Sequence, residues 1–202
     1  MSRSSRGPFR RRVHLYCIEH TEQVDFLSQL PHLAVLTLNC RPRGDWIVPA
    51  DAVLASLVRC SGITELDLHC GFTSAHWSAL LAKLTKLKRL TICGGDIETL
   101  QFFAAGPITE LLEELRLLGH RLPPAELPHL YGLRRLRAIH LDRCFSSQLS
   151  DGTVDSLFPP TPILPALTSL YLRWCEADSN WSDRVRTAAG PSFEWMQERV
   201  KQ

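Results

Sequence analysis

Six stretches of the chain repeat one arrangement of positions, apolar-x-x-apolar-x-apolar. They are LAVLTLNC from Leu33, ITELDLHCG from Ile63, LKRLTICG from Leu87, LEELRLLG from Leu112, LRAIHLDR from Leu136 and LTSLYLRW from Leu167. A weaker seventh copy, RRRVHLYC, keeps Val13 and Leu15 but has Arg10 where the first apolar residue belongs. The copies start at 10, 33, 63, 87, 112, 136 and 167, so the steps are 23, 30, 24, 25, 24 and 31 residues. Inside each copy the period-2 alternation predicts a strand. Leu66 and Leu68 then face a core, while Glu65, Asp67 and His69 face out. Between copies the period becomes helical. TSAHWSALLAKL offers a Thr or Ser cap, then Trp77, Leu80, Leu81 and Leu84 on one face. ADAVLASLVRCSG runs through Val53, Leu54, Leu57 and Val58 to a glycine stop at Gly62. TEQVDFLSQL, DIETLQFFAAG and PPAELPHLYG carry the same pattern less cleanly.

Self-similarity at a period of about 20 to 29 residues is the signature of leucine-rich repeats. The chain resembles that family over residues 10 to about 175. The resemblance implies an α/β solenoid, a horseshoe with a parallel concave sheet of about seven strands and helices on the convex side. One rung cannot bury its apolar face, but stacked rungs share a continuous core. Seven strands at ~4.8 Å spacing make a sheet roughly 29 Å across. The expected division is a basic disordered start over 1–9, the repeat domain over 10–175 and a C-terminal helical cap over 176–202. That cap would consist of WSDRVRTAAG and PSFEWMQERV, with Trp181 and Val185 or Phe193 and Met196 covering the last rung near Leu170 and Leu172. The two long steps carry RPRGDWIVP after a strand and FPPTPILP before one, which predicts loops on opposite edges.

Composition changes this picture little. Leucine supplies 33 of the 202 residues, and the net charge of +2 gives no global pull toward nucleic acid or a membrane. No apolar run approaches the ~18 to 20 residues of a membrane span. The start, MSRSSRGPFRRR, has five arginines and no apolar core, unlike a secretory signal. Seven cysteines without a CxxC pair point to a reducing compartment, free thiols and no disulfides. A cytoplasmic location follows, with the nucleus as second choice.

Cys17, Cys40 and Cys70 share one offset beyond the third apolar position and should form a column along the sheet edge. A flat column supplies tetrahedral zinc geometry poorly, so packed thiols, and no metal, are expected. Asp67, His69 and Cys93 assemble a nucleophile, base and orienting acid. An open strand surface provides no enclosed pocket or oxyanion donors, so the reading is not an enzyme. No phosphate-binding, dinucleotide, nucleophile-elbow or HExxH motif is present, and no cofactor is expected.

The outward positions of the strands remain. Arg12, His14, Tyr16, Asp67, His69, Arg89, Arg116, His140, Asp142, Tyr171 and Arg173 make a polar face of mixed sign, and Trp46 is a possible aromatic anchor on the first long loop. A nucleic-acid surface would be a uniformly basic stripe. The expected partner is a protein, with neither nucleic acid nor membrane. The rungs, with cysteine after the third apolar position and irregular steps, resemble the repeat arrays of fungal-type F-box/LRR proteins. That resemblance implies a region capturing substrates for a cullin-type ubiquitin ligase. The first rung begins near residue 10, leaving no room for the roughly 40 to 50 residues an F-box needs. A stand-alone inhibitor or regulator of the ribonuclease-inhibitor type is the alternative, and a cysteine-dependent enzyme a remote one. The N-terminal repeat edge is a candidate for self-association.

Overall fold

The computed structural model describes residues 12–16, 18, 20–30, 32–40, 49–94, 97, 99–120, 122–144, 164–173, 183 and 194–198. Each of the seven predicted strands opens two residues after the start of its repeat: β1 Arg12–Tyr16, β2 Val35–Asn39, β3 Glu65–His69, β4 Arg89–Cys93, β5 Glu114–Leu118, β6 Ala138–Asp142 and β7 Ser169–Arg173. An eighth strand, β8, spans Glu194–Glu198. All eight pair parallel in chain order. Register follows the repeat without slippage: Leu36 pairs with Leu66, Leu66 with Leu90, Leu90 with Leu115, Leu115 with Ile139 and Ile139 with Leu170. A one-residue slip would turn every leucine outward, so burial itself holds the register.

A second device locks the rungs. The carbonyl before each of β2 to β6 accepts from two successive N–H groups of the next rung. Thr64 and Glu65 donate to Ala34 at 2.8 and 3.0 Å, and Lys88 and Arg89 to Thr64 at 2.8 and 3.1 Å. The same fork recurs at Lys88, Glu113 and Arg137, and Glu194 of β8 donates to Thr168 at 2.8 Å. β8 is therefore a true rung of the ladder.

Inward positions are closed to solvent: Leu36, Leu38, Leu68, Ile92, Leu115, Leu117, Ile139, Leu141 and Leu172 are all buried. So are the leading residues Leu33, Ile63, Leu87, Leu112 and Leu136. Val13 and Leu15 on β1 are only partly buried, because this outermost described strand has a rung on one side alone.

The convex side changes character along the chain. The first three described segments are α1 Glu22–Asp25, running into a 3-10 turn over Phe26–Gln29, then α2 Ala50–Leu57 and α3 Ser74–Leu81. Thr73 starts α3 as expected, with its N–H donating to His76 Nδ1 at 3.1 Å. Ser56 ties α2 to α1 by donating to Asp25 Oδ1 at 2.9 Å. Beyond α3, the two segments expected to be helices carry 3-10 turns at Gln101–Phe103 and Pro124–Gly132, and a further 3-10 turn spans Pro107–Glu110. Glycine and proline both punctuate this stretch. Pro107 follows Gly106 at φ 90, and Pro128 interrupts the last segment with no N–H to donate. No helix among the described residues is long and apolar enough to cross a membrane.

One expectation is corrected at the C-terminus. Residues 194–198, read as part of a helical cap, are a strand whose register aligns Trp195 with Leu170 and Gln197 with Leu172. Pairing with β7 satisfies its backbone groups as a strand, and Met196 is 62% exposed instead of covering the core. Trp181, Val185 and Phe193 lie outside the described residues, as do Trp46, Cys17 and the two long loops apart from their margins.

Candidate binding face

Strand periodicity puts residues i, i+2 and i+4 of every strand on the concave side, and parallel register lines them into rows. One row runs Arg12, Val35, Glu65, Arg89, Glu114 and Ala138; the next runs His14, Thr37, Asp67, Thr91, Arg116 and His140. The charged members meet both across strands and within one. Arg89 Nη2 donates to Glu65 Oε1 at 2.8 Å, and the Arg116 guanidinium contacts Glu114 Oε1 at 2.6 Å. His140 Nε2 lies 3.5 Å from the same Glu114 oxygen, and its ring lies 5.5 Å from that of Tyr171. His69 Nε2 lies 2.9 Å from Asp67 Oδ1. Arg173 and Arg143 each approach the Asp142 carboxylate to 3.8 Å. At the outer strand His14 and Tyr16 stack at 6.4 Å, with Tyr16 largely exposed.

The structure thus brings eleven of the twelve predicted site residues onto one surface; the twelfth, Trp46, lies outside the described residues. A hollow of about 250 Å³ opens between β1 and β5, bordered by Arg12, His14, Asp67, Arg89 and Arg116. Glu65 and Glu114 were not among the predicted residues, although each holds an arginine in place. Their signal was present as opposite charges, at equivalent offsets of neighbouring copies for Glu65 and Arg89 (ITEL against LKRL) and two residues apart in LEELRL for Glu114 and Arg116. Arg143 was missed as well. It occupies the strand-exit position that Gly94 and Gly119 fill after β4 and β5, and like them it has positive φ, at 55° against 75° and 77°. The chain turns left-handed there, a conformation that costs a side-chain-bearing residue free energy.

Burial sets the electrostatics at His140. Desolvation holds its pKa below the ordinary histidine value, reinforced by the Arg116 charge and opposed by Glu114. The ring is therefore neutral at pH 7, a hydrogen-bonding and stacking group rather than a third cation.

Cysteine chemistry differs from expectation in two ways. Cys93, read as outward-facing, is buried at 7% exposure, so its thiol is shielded from an external electrophile. Cys40 and Cys70, expected as packed free thiols, are joined in a disulfide. Equivalent positions on adjacent strands place their Cα atoms 4.9 Å apart, within the range a disulfide spans, so no CxxC spacing is needed. The cysteine argument for a reducing compartment therefore lapses. Cys60, Cys93 and Cys144 are buried, and burial raises the Cys60 pKa. Among the described residues no group of three or more His, Cys, Asp or Glu side chains is placed to hold a metal ion.

No protein-family model matches the sequence, and no curated protein matches it. Solved structures do. An internalin from Listeria monocytogenes aligns over 95% of this chain with a TM-score of 0.54 at 16% identity. The chain spans about half of that protein, 48% of its length. A leucine-rich repeat protein from Leptospira interrogans aligns over 84% of this chain and 44% of its own, with a TM-score of 0.44 at 17% identity. Strands stacked in parallel at the repeat period, backed by short convex segments, and the likeness to the internalin agree: the chain has the fold of a leucine-rich repeat solenoid.

Proposed function

We propose that the chain is a protein-binding module that captures its partner on the concave face. The observation that carries this is the pair of charged and aromatic rows held on a fixed parallel sheet, with the hollow at Arg12, Arg89 and Arg116 between them. Side chains anchored on a rigid sheet lose little further freedom on binding, which lowers the cost of association. Extended concave surfaces of solenoids suit this use. The test is affinity capture from a lysate with the whole chain and with a Thr37→Trp/Thr91→Trp variant that plugs the hollow. Capture lost at an unchanged melting temperature supports the reading; equal capture by the plugged variant overturns it.

The finer reading is the substrate-capturing part of an F-box type ubiquitin ligase receptor, supported by the resemblance of the rungs. Co-purification of adaptor and cullin subunits would favour it. Capture of a single target without them would favour a stand-alone inhibitor or regulator.

A further inference from the structure

The concave ion pairs are uneven. Arg89 is 57% exposed above a Glu65 that is 29% exposed, and Arg116 is 49% exposed above a Glu114 at 20%. The carboxylates lie low on the sheet and the guanidinium groups stand over them. Each guanidinium carries five N–H donors in a planar fork, more than one carboxylate oxygen can occupy. Across the hollow, Arg12 is exposed on β1 and forms no ion pair among the described residues. Over these two pairs an incoming molecule therefore meets cations first; Asp67, 38% exposed and paired with His69, is the carboxylate of the hollow that has no guanidinium over it.

We infer that the partner is an acidic protein segment whose carboxylates seat in this hollow, one on the Arg89–Arg116 pair and another on Arg12. This rests on the concave-face reading above. The recessed Glu65 and Glu114 hold the forks upright and cancel their long-range field. A phosphodiester backbone, which needs a continuous positive track, would meet those carboxylates just behind each guanidinium. A single side-chain carboxylate needs only one fork, and accepts it bidentately. Spacing follows from the sheet. Arg12 and Arg89 sit in one row, three strand intervals apart, or about 14 Å at ~4.8 Å each. An extended peptide crossing the strands at ~3.3 Å per residue covers that in about four residues. Tyr16, exposed at the far end of the same strand and stacked on His14, offers the segment an aromatic flank.

The experiment is to pan a display library of random peptides on the whole chain, then measure one enriched peptide by fluorescence anisotropy. The expected result is enrichment of Asp and Glu about four positions apart. Arg89→Glu/Arg116→Glu should weaken that peptide by roughly 10- to 100-fold, and exchanging its acids for Lys should restore binding to the reversed variant. Failure to enrich acidic peptides, or binding indifferent to the reversal, overturns the inference. If non-acidic peptides are enriched yet blocked by Thr37→Trp/Thr91→Trp, the concave-face reading stands and only its acidic partner falls. If the plug has no effect on them, both fall. A DNA duplex that binds as tightly as the acidic peptide and is lost on the same reversal also overturns it, in favour of a general polyanion.

Discussion

The two sides of the sheet divide the work. Behind it, Trp77, Phe72, Phe103 and the leucine columns are closed to solvent, and each rung depends on its neighbours. In front, the same strands carry half-exposed arginines, histidines and carboxylates whose contacts are ion pairs at the surface. The inner side tolerates little change because packed apolar volume has no substitute. The outer side is free to vary, since exposed ion pairs contribute only about 0 to 1 kcal/mol. Stability and recognition are thus separated by alternate residues of one strand.

The strongest way to test that division is Trp77. It is fully buried among Phe72 at 5.4 Å and Phe102 at 6.3 Å. Trp77→Ala should lower stability by about 3–5 kcal/mol in chemical denaturation. Trp77→Phe should cost far less, because it also removes a buried Nε1–H that has no partner among the described residues. The disulfide comes next. Cys40 and Cys70 close a loop with a sequence separation of 30, and Cys40→Ala/Cys70→Ala should cost about 2–4 kcal/mol relative to the oxidised protein. The gap should shrink when both proteins are measured in reductant.

Glu126 probes the convex side at a polar point. Its Oε2 accepts from Thr99 Oγ1 at 2.7 Å and from the Leu100 N–H at 2.9 Å, joining two rungs. The Thr99 bond is the main cause holding its pKa below the ordinary carboxylate value, helped by Leu100 and His129 and opposed by desolvation. A lowered folded pKa means stabilisation that is full above the unfolded carboxylate pKa and fades as pH falls through the folded one. Glu126→Ala should cost about 1–2 kcal/mol near neutral pH, with the difference from the native protein closing in acid.

Arg143 lies between the two sides, and its replacement should act in the opposite direction. Arg143→Gly relieves the left-handed strain that Gly94 and Gly119 avoid, less the added freedom of the unfolded chain, for a gain of up to about 1 kcal/mol. A loss instead would mean that its approach to Asp142 outweighs the strain. The smallest stability effect belongs to the concave face: Arg89→Glu/Arg116→Glu should leave the melting temperature within a degree or two while abolishing partner capture. A large melting shift from that double reversal would end the proposed separation of roles.

How much of this was legible beforehand differs by region. The seven strands and their inward leucines were readable because a solenoid repeats one local rule, and a period-2 pattern at constant offset leaves little choice of register. Eleven of the twelve proposed binding residues fall on the concave face for the same reason. The convex turns were harder, since TLQFF and AELPHL carry helical spacing while neighbouring prolines and glycines decide the backbone. EWMQE looked amphipathic as a helix, and only the N–H and carbonyl groups waiting along β7 made it a strand. Cys40 and Cys70 stand 30 residues apart in the chain, so their bond exists only once parallel strands bring them within 4.9 Å. The sequence by itself determined the rungs, their order and which residues face outward, because burial of periodic leucines is a local instruction repeated. Tertiary structure alone decided that Glu65 supports Arg89, how far each guanidinium stands out and which cysteines meet, because those depend on distances between rungs that no single rung encodes.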